Sequence, residues 1–431
     1  MLTSLLGSLI EFENDDEPRG MLQATLYGFC IMFSYYILRA VRDEISAADR
    51  GNLQILWTAV FFVMILAVQA YSWVASRYSR GVFVPVANRF FIACLIAFWA
   101  SLVFMPEAAR PWIDRVFYVW TSVFALFVVT VFWGLVADCF DNDQGKRLFG
   151  FIAIGASVGG ILGSTATSFL AVRVEVFYLL LIACIPLEFA SWFAGRLHRN
   201  FGTGQIRVEG EAERPLAGDS WSGMKAVFAS PYLMAIAGFI ALMTFASTIL
   251  YFAQSFLLYD AITDRGVRTA FLARMDLVVN VLTILFEVYL TARIIRWFGV
   301  GVALAIIPVA VAVGFVAIGL WPTLWTLVVV QVIYRAGRYG LTKPAREVLF
   351  TVVSREEKYK SKAFIDAAVY RGGDLVSGWV YAGAAAVGLT IGSIALLAAP
   401  MAAIWAIMAI RLGRRGEVKA AEMEAAEVQP A

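Results

Sequence analysis

Histidine is almost missing from this chain, and charge is scarce. One histidine, His198, occurs in 431 residues, and Asp, Glu, Lys and Arg together make up 16%. A single imidazole cannot build a histidine metal cluster, and no span carries a nucleophile–histidine arrangement, so enzymatic catalysis and catalytic residues are not expected. The four cysteines, Cys30, Cys94, Cys139 and Cys184, stand alone with no paired spacing. They are expected to be free thiols, with no disulfide, metal or cofactor to hold. Gly159-Gly160 is not followed by a Walker lysine, and no strand is expected before it, so it is no nucleotide-binding loop. There is no ATPase domain to drive primary transport, and no nucleic-acid partner is expected.

What is present is hydrophobic length. The chain is 61% hydrophobic with a mean hydropathy of +0.76, far outside the range of soluble domains. Apolar runs begin near Met21, Asn52, Phe83, Val116, Leu148, Val176, Tyr232, Ala270, Gly301, Thr323, Ala363 and Ile391. Each is about 20 residues, long enough to cross the ~30 Å bilayer core. Lacking the alternation of barrel strands, they must be helices, because lipid leaves backbone groups no other partner. The fold class is therefore all-α, integral to the lipid bilayer, with about twelve transmembrane helices. With both termini cytoplasmic, inside segments carry roughly 20 Lys/Arg and outside segments roughly 8, as the positive-inside rule requires. The first nineteen residues carry an acidic run from Glu11 to Glu17 and no basic leader, so they do not look like a signal peptide. Bacterial inner-membrane placement is the expectation, as a monomer.

The polar stretch Arg196–Ser230 separates two sets of about six spans. The expected domains are a cytoplasmic segment 1–19, a bundle 20–197, a linker 198–230, a bundle 231–412 and a tail 413–431. A shift of about 215 residues places Arg147, Phe149 and Gly163 on Lys362, Phe364 and Gly378, and parallel six-helix repeats are the major-facilitator pattern. The acidic-then-basic approach Asp141–Arg147 falls on Arg355–Lys362 in the same way. Hydropathy alone ends the tenth span near Thr342, but its repeat partner continues. The repeat thus predicts helix from Arg335 to Val353, bent at Pro344.

Seven basic residues fall inside these spans: Arg89, Arg274, Arg335, Arg338, Lys343, Arg346 and Arg371. Cations at membrane depth are costly and persist where they face a cavity, a counter-charge or a substrate. At about 100° per residue, Arg335, Arg338, Thr342 and Arg346 share one helix face, with Lys343 at its margin. That stripe faces either a transport path or anionic headgroups. The first span ends Tyr35-Tyr36-Ile37-Leu38-Arg39-Ala40-Val41-Arg42-Asp43-Glu44, and Arg39, Arg42 and Asp43 are neighbours at i, i+3 and i+4. Arginine forks match phosphate or carboxylate oxygens, while Tyr and Arg also serve as ordinary interfacial anchors. Asp276, Asn280 and Glu287 align on the eighth span, and Arg371 and Asp374 lie one turn apart on the eleventh as an ion pair. Asn88-Arg89 has no obvious local partner. Gly155, Gly159 and Gly163, every fourth residue, mark a close helix approach.

Three stretches then carry a resemblance: Tyr36–Glu44, Phe132-Trp133-Gly134 through Lys146-Arg147-Leu148-Phe149, and Arg335–Asp366. Together they resemble the ATP/ADP translocase (nucleotide transporter) family, distant relatives of the major facilitator superfamily, with this chain a divergent bacterial member. Lys343-Pro344-Ala345-Arg346-Glu347 looks like that family's Pro-Thr-Lys-Glu segment, and Arg39-Ala40-Val41-Arg42-Asp43 looks like its Arg-Asp-Thr-Lys-Asp segment. The chain departs in having Arg42 and Arg346 where the family has lysines, and Thr121-Ser122 where it has a glutamate.

The reading is a secondary transporter of an organic anion, a nucleotide or another phosphorylated solute, working by alternating access between two bundles. Tyr36, Arg39, Arg42, Arg335, Arg338 and Arg346 are the candidate substrate contacts. Asp43, Asp276, Glu287, Arg371 and Asp374 are the candidate coupling or ion-pair residues. Antiport suits a nucleotide, since exchange needs no separate ion site. The alternative is a membrane scaffold or sensor that keeps a transporter fold without transport.

Overall fold

The structure, a computed structural model, describes residues 17–75, 77–78, 80–202, 222–354, 357, 361–362 and 364–428. Among these, the regular elements are helices. Six long ones come first: α1 Glu17–Ala48, α2 Leu53–Ala75, α3 Arg80–Phe104, α4 Arg110–Cys139, α5 Asn142–Leu170 and α6 Tyr178–Phe201. A short helix, Ser222–Ala229, precedes α7 Pro231–Ala261 and α8 Arg265–Leu285. Helix continues from Thr291 to Leu320 but breaks at Gly299, whose φ of 79° only glycine adopts without strain. The run Arg265–Leu320 has 56 residues, about 84 Å at 1.5 Å per residue, so it makes two crossings, and 300–320 is α9. Then come α10 Leu324–Gly337, α11 Tyr370–Ala386 and α12 Ile391–Val428.

Nine continuous helical runs among the described residues are long and apolar enough to cross a membrane, the broken one counting once. Two more, Leu324–Leu349 and Ile365–Ala386, are interrupted by charge and by π turns. Contacts divide the chain into two compact units. Unit 1 holds Met1–Asp49, Phe62–Ala212 and Ile262–Leu277, and unit 2 holds Arg50–Phe61, Glu213–Ala261 and Val278–Ala431.

In unit 1, α1 is the central rod, packed on α5 and α6. The glycine stripe is the reason α5 sits so close. A Cβ added at Gly155, Gly159 or Gly163 would lie 2.4, 2.3 or 2.5 Å from the backbone oxygen of Thr25, Phe29 or Phe33. Three successive turns therefore touch backbone to backbone, an approach that only glycine permits and that brings dispersion and Cα–H···O contacts with it. The start of α5 is set by Asp141, which accepts from the Asp143 and Gln144 amides while Gln144 caps back, a capping box. Its repeat counterpart, Arg355–Lys362, lies largely outside the described residues. His198 was expected in a linker, yet α6 runs on to Phe201 and half-buries the imidazole. The imidazole fills the space a side chain at Gly81 would need.

Unit 2 is built on α7, with α9 and α12 packed along each other. Gly301 lies against Gly413, and Gly319 against Gly392, fixing that pair as antiparallel. Glu417 Oε1 accepts from the Val300 amide at 3.2 Å, capping the start of α9. Residues 413–428, expected as a tail, are thus the end of a long helix. The tenth span does continue past Thr342, as the repeat requires, but it ends at Leu349 rather than Val353.

Its bend has a specific form. Residues Arg338–Thr342 form a π turn, followed by helix Lys343–Leu349 with Pro344 in its first turn. Pro344 has no N–H, so the Gly340 carbonyl loses the partner it would have in an α-helix. The Thr291 hydroxyl donates to that carbonyl. Thr291 itself follows a second π turn, Phe286–Leu290, and the two turns pack together, Gly340 against Phe286.

Two outcomes test this packing. Gly159→Leu should prevent assembly of unit 1, overpacking costing at least about 1–3 kcal/mol. Gly150→Ala, with open space at the Cβ position, should be tolerated; fluorescence-detected size exclusion separates the two. Thr291→Val should lower stability by about 1–3 kcal/mol through the orphaned carbonyl, with Thr291→Ser close to wild type in thermal unfolding.

Candidate functional site

In unit 1 the charges gather where α1, α4 and the first half of α8 meet. Arg39 is shared between two carboxylates, its Nε 3.3 Å from Asp276 and 3.7 Å from Asp43. Arg42 directs Nε (3.0 Å) and Nη2 (2.7 Å) onto one oxygen of Asp43. Tyr36 lies beneath the Arg39 guanidinium and Tyr118 beneath that of Arg42, both 5.7 Å from ring centre. Asp43 and Asp276 are buried. Two arginines and two aspartates make a neutral set, which suits ions withdrawn from water.

A second network starts at the next residue of α1. Glu44, fully buried, accepts from Arg268 Nη2 at 2.6 Å and from Arg265 Nε at 2.8 Å. Arg265 also reaches Asp114 at 2.9 Å, and Arg268 donates to the carbonyls of Ile262 and Thr263. Nearby, Arg115 is held on Asp49 at 2.6 Å. A cavity of about 310 Å³ opens beside Arg265, lined also by Arg110, Asp114, Glu175, Phe117 and Val41. Its four charged residues cancel, so it offers an anion no net attraction.

Unit 2 handles its cations differently. Arg338, the first residue of the π turn, donates to the Tyr370 hydroxyl. Its guanidinium lies 5.2 Å from the centre of the Tyr370 ring and 5.5 Å from that of Tyr339. Tyr370 is placed by another π turn, Ile365–Val369, immediately before it. A π turn re-aims the side chains around it, and such turns recur at functional sites. Arg335 is buried one turn earlier, beside Tyr334, whose hydroxyl donates to the Met243 carbonyl at 3.1 Å. Deeper still, Gln331 donates to Gln254 at 3.1 Å. Asp374 feels the charges of Arg371 and Arg338, and Arg371 lies over the Tyr370 ring at 5.8 Å.

The remaining candidates fall elsewhere. Arg346 is eleven residues beyond Arg335, about 16 Å along a helix, and the intervening π turn rotates it by about one residue, or 100°. It pairs with Asp366 at 3.1 Å and Glu347 at 3.6 Å, while Lys362 takes Glu347 at 2.6 Å. Glu287 sits in the Phe286–Leu290 turn, exposed and facing the charge of Lys343. Asp276 belongs to unit 1 and Glu287 to unit 2. Arg89, without a partner nearby in sequence, meets Glu188 of α6 at 2.8 Å.

Arg265, Arg268 and Tyr370 were missed because the eighth span was started at Ala270 and tyrosine carries no charge. Asp264 was the available signal. Its carboxylate accepts from the Val267 amide at 2.7 Å, an N-cap that begins the helix at Arg265.

No family model matches the chain. It is 20% identical to "ADP,ATP carrier protein 1" of Chlamydia trachomatis, over 92% of this chain and 89% of that protein. It is 22% identical to "ADP,ATP carrier protein 2" of Chlamydia pneumoniae, over 94% and 90%. Among solved structures, the nucleoside transporter NupG superposes with a TM-score of 0.64 at 13% identity, over 93% of this chain and 99% of that one. A D-xylose–proton symporter does so with 0.64 at 14%, over 92% and 98%. The fold is that of these transporters.

Glu44 is the anchor of the larger network. Glu44→Gln leaves two cations around a neutral amide and should cost about 3–5 kcal/mol, read as a lower unfolding temperature in nanodiscs.

Proposed function

We propose that this chain, a divergent relative of the ADP,ATP carrier proteins, is a multi-pass secondary transporter of nucleotides or related phosphorylated solutes. It works by alternating access as an antiporter, in the cytoplasmic membrane of a bacterium, with both termini inside. The similarity to carriers over nearly the whole length of both partners supports the transport class. The observation that carries the substrate class is Arg338, with buried Arg335 one turn away, set among Tyr334, Tyr339 and Tyr370.

Ring faces and a hydroxyl stabilise a guanidinium without neutralising it. One carboxylate, Asp374, faces the two cations Arg338 and Arg371, so positive field is left over for an incoming anion, and the Arg338 fork accommodates two phosphate oxygens. The surrounding tyrosine rings offer a base a stacking surface. The Arg39–Arg42–Asp43–Asp276 set plays the other part. Being neutral, it exerts little pull on an anion until a pair opens, so it serves as a charge latch that rearranges during the cycle. Tyr36 backs Arg39 there.

Proteoliposomes loaded with ADP should take up labelled ATP faster than empty ones. Arg338→Gln removes a charged hydrogen bond worth about 1.5–3 kcal/mol and should reduce uptake by about 10- to 100-fold. Arg274→Gln, at an exposed position on α8, should leave uptake unchanged. Failure of the folded wild type to exchange any nucleotide or sugar phosphate refutes this function.

A further inference from the structure

α3 and α6 carry an ion pair on an outward face that is otherwise apolar. Arg89 donates to Glu188 Oε1 through Nη2 at 2.8 Å and Nε at 3.2 Å, with the two side chains 62% and 53% exposed. Around them on α3 are Val86 and Phe90, and on α6 Ile185, Phe189 and Trp192, all exposed. The spacings, i and i+3, i+4 on each helix, put the charges in the middle of one apolar stripe. Depth makes this unusual. Glu188 lies eight residues before Arg196 and ten after Tyr178, about 12 and 15 Å along α6, near the centre of a ~30 Å core. Arg89 Nε also reaches Glu188 Oε2, at 3.4 Å, yet lipid tails can neither accept the guanidinium's remaining N–H donors nor supply the further donors that a carboxylate's lone pairs can take.

The exposed surface therefore carries unmet donors and unmet acceptors side by side. A two-fold axis between them would set Arg89 of one copy on Glu188 of another, and the reverse, closing a ring of four alternating charges flanked by apolar side chains. A face bearing both signs is its own complement, which is the requirement of an isologous contact. We propose that the α3–α6 face of this protein is a homodimer interface within the membrane, specified by reciprocal Arg89–Glu188 pairing. Headgroup phosphates lie too far along the helices to occupy this position, and a different membrane protein would need to present a matching pair.

The test is subunit counting by single-molecule photobleaching of the full-length chain, sparsely reconstituted in liposomes. Wild type should bleach in two steps above the chance level. R89E and E188R, each giving a patch of one sign, should bleach in one step. Reconstituted together in two colours, those two variants should pair with each other, and the double variant R89E/E188R should dimerise like wild type. Where a reversal fails to fold, E188Q keeps the side-chain shape and should weaken dimerisation by about ten-fold or more, with its unfolding temperature close to wild type. A monomeric wild type, single reversals that still dimerise, a mixture that fails to pair, or E188Q at full dimer strength would each overturn the proposal. A monomeric wild type that captures another membrane protein would assign the face to that partner.

Discussion

A guanidinium withdrawn from water into a helix bundle must be offset by the protein itself, because lipid offers neither counter-charge nor acceptor. This chain meets that constraint in three chemically different ways. Carboxylates neutralise Arg39 and Arg42 through Asp43 and Asp276, and Arg265 and Arg268 through Glu44 and Asp114. Aromatic rings and a hydroxyl hold Arg338, whose charge Asp374 shares with that of Arg371. On the outer face of α3 and α6, Arg89 and Glu188 cancel each other's charge but leave donors and acceptors unmet. The difference in offset implies a difference in role. A neutral network can open and close, an aromatic-held cation can bind, and an exposed pair can be completed from outside.

Backbone geometry serves the same ends. Glycines bring α5 and α1 backbone to backbone over three turns in unit 1. Unit 2 instead places π turns at Phe286–Leu290, Arg338–Thr342 and Ile365–Val369. A π turn adds a residue to the coil and redirects the helix beyond it. Here two of the three flank Arg338 and Tyr370, and the Thr291 hydroxyl satisfies the carbonyl that Pro344 would otherwise abandon. Close glycine packing marks one half of the sequence, and helix interrupted by π turns marks the other.

Much of this is legible in the amino-acid sequence. Hydropathy reveals the spans because a run of about 20 apolar residues has few other uses. The four-residue glycine spacing implies a close helix approach, though not which helix it meets. Arg39, Arg42 and Asp43 announced themselves by local spacing. What stayed hidden were partners distant in sequence: Arg39 and Asp276, or Arg89 and Glu188, are joined only by packing. The basic stripe of the tenth span shows where periodicity runs out. Phase extrapolated at 100° per residue carried Arg346 onto the face of Arg335, and a π turn, which no periodicity announces, moved it off. Tyrosine as the companion of Arg338 was equally invisible to a search for charges.

The two arginines that stand where the resembled family has lysines are both committed to carboxylates, by different geometries. At Arg42 both Nε and Nη2 converge on one oxygen of Asp43, a contact that a lysine's single ammonium could make only once. Arginine there strengthens the neutral set in unit 1 and deepens its preference for the closed pair. At Arg346 the fork divides between Asp366 and Glu347, so its charge is consumed locally. Neither replacement leaves a free cation for a solute. Arg338 is held differently, by tyrosine rings and a hydroxyl, with Asp374 sensing its charge. That arginine stands where the local charge count is least informative and where the helix itself departs from regularity.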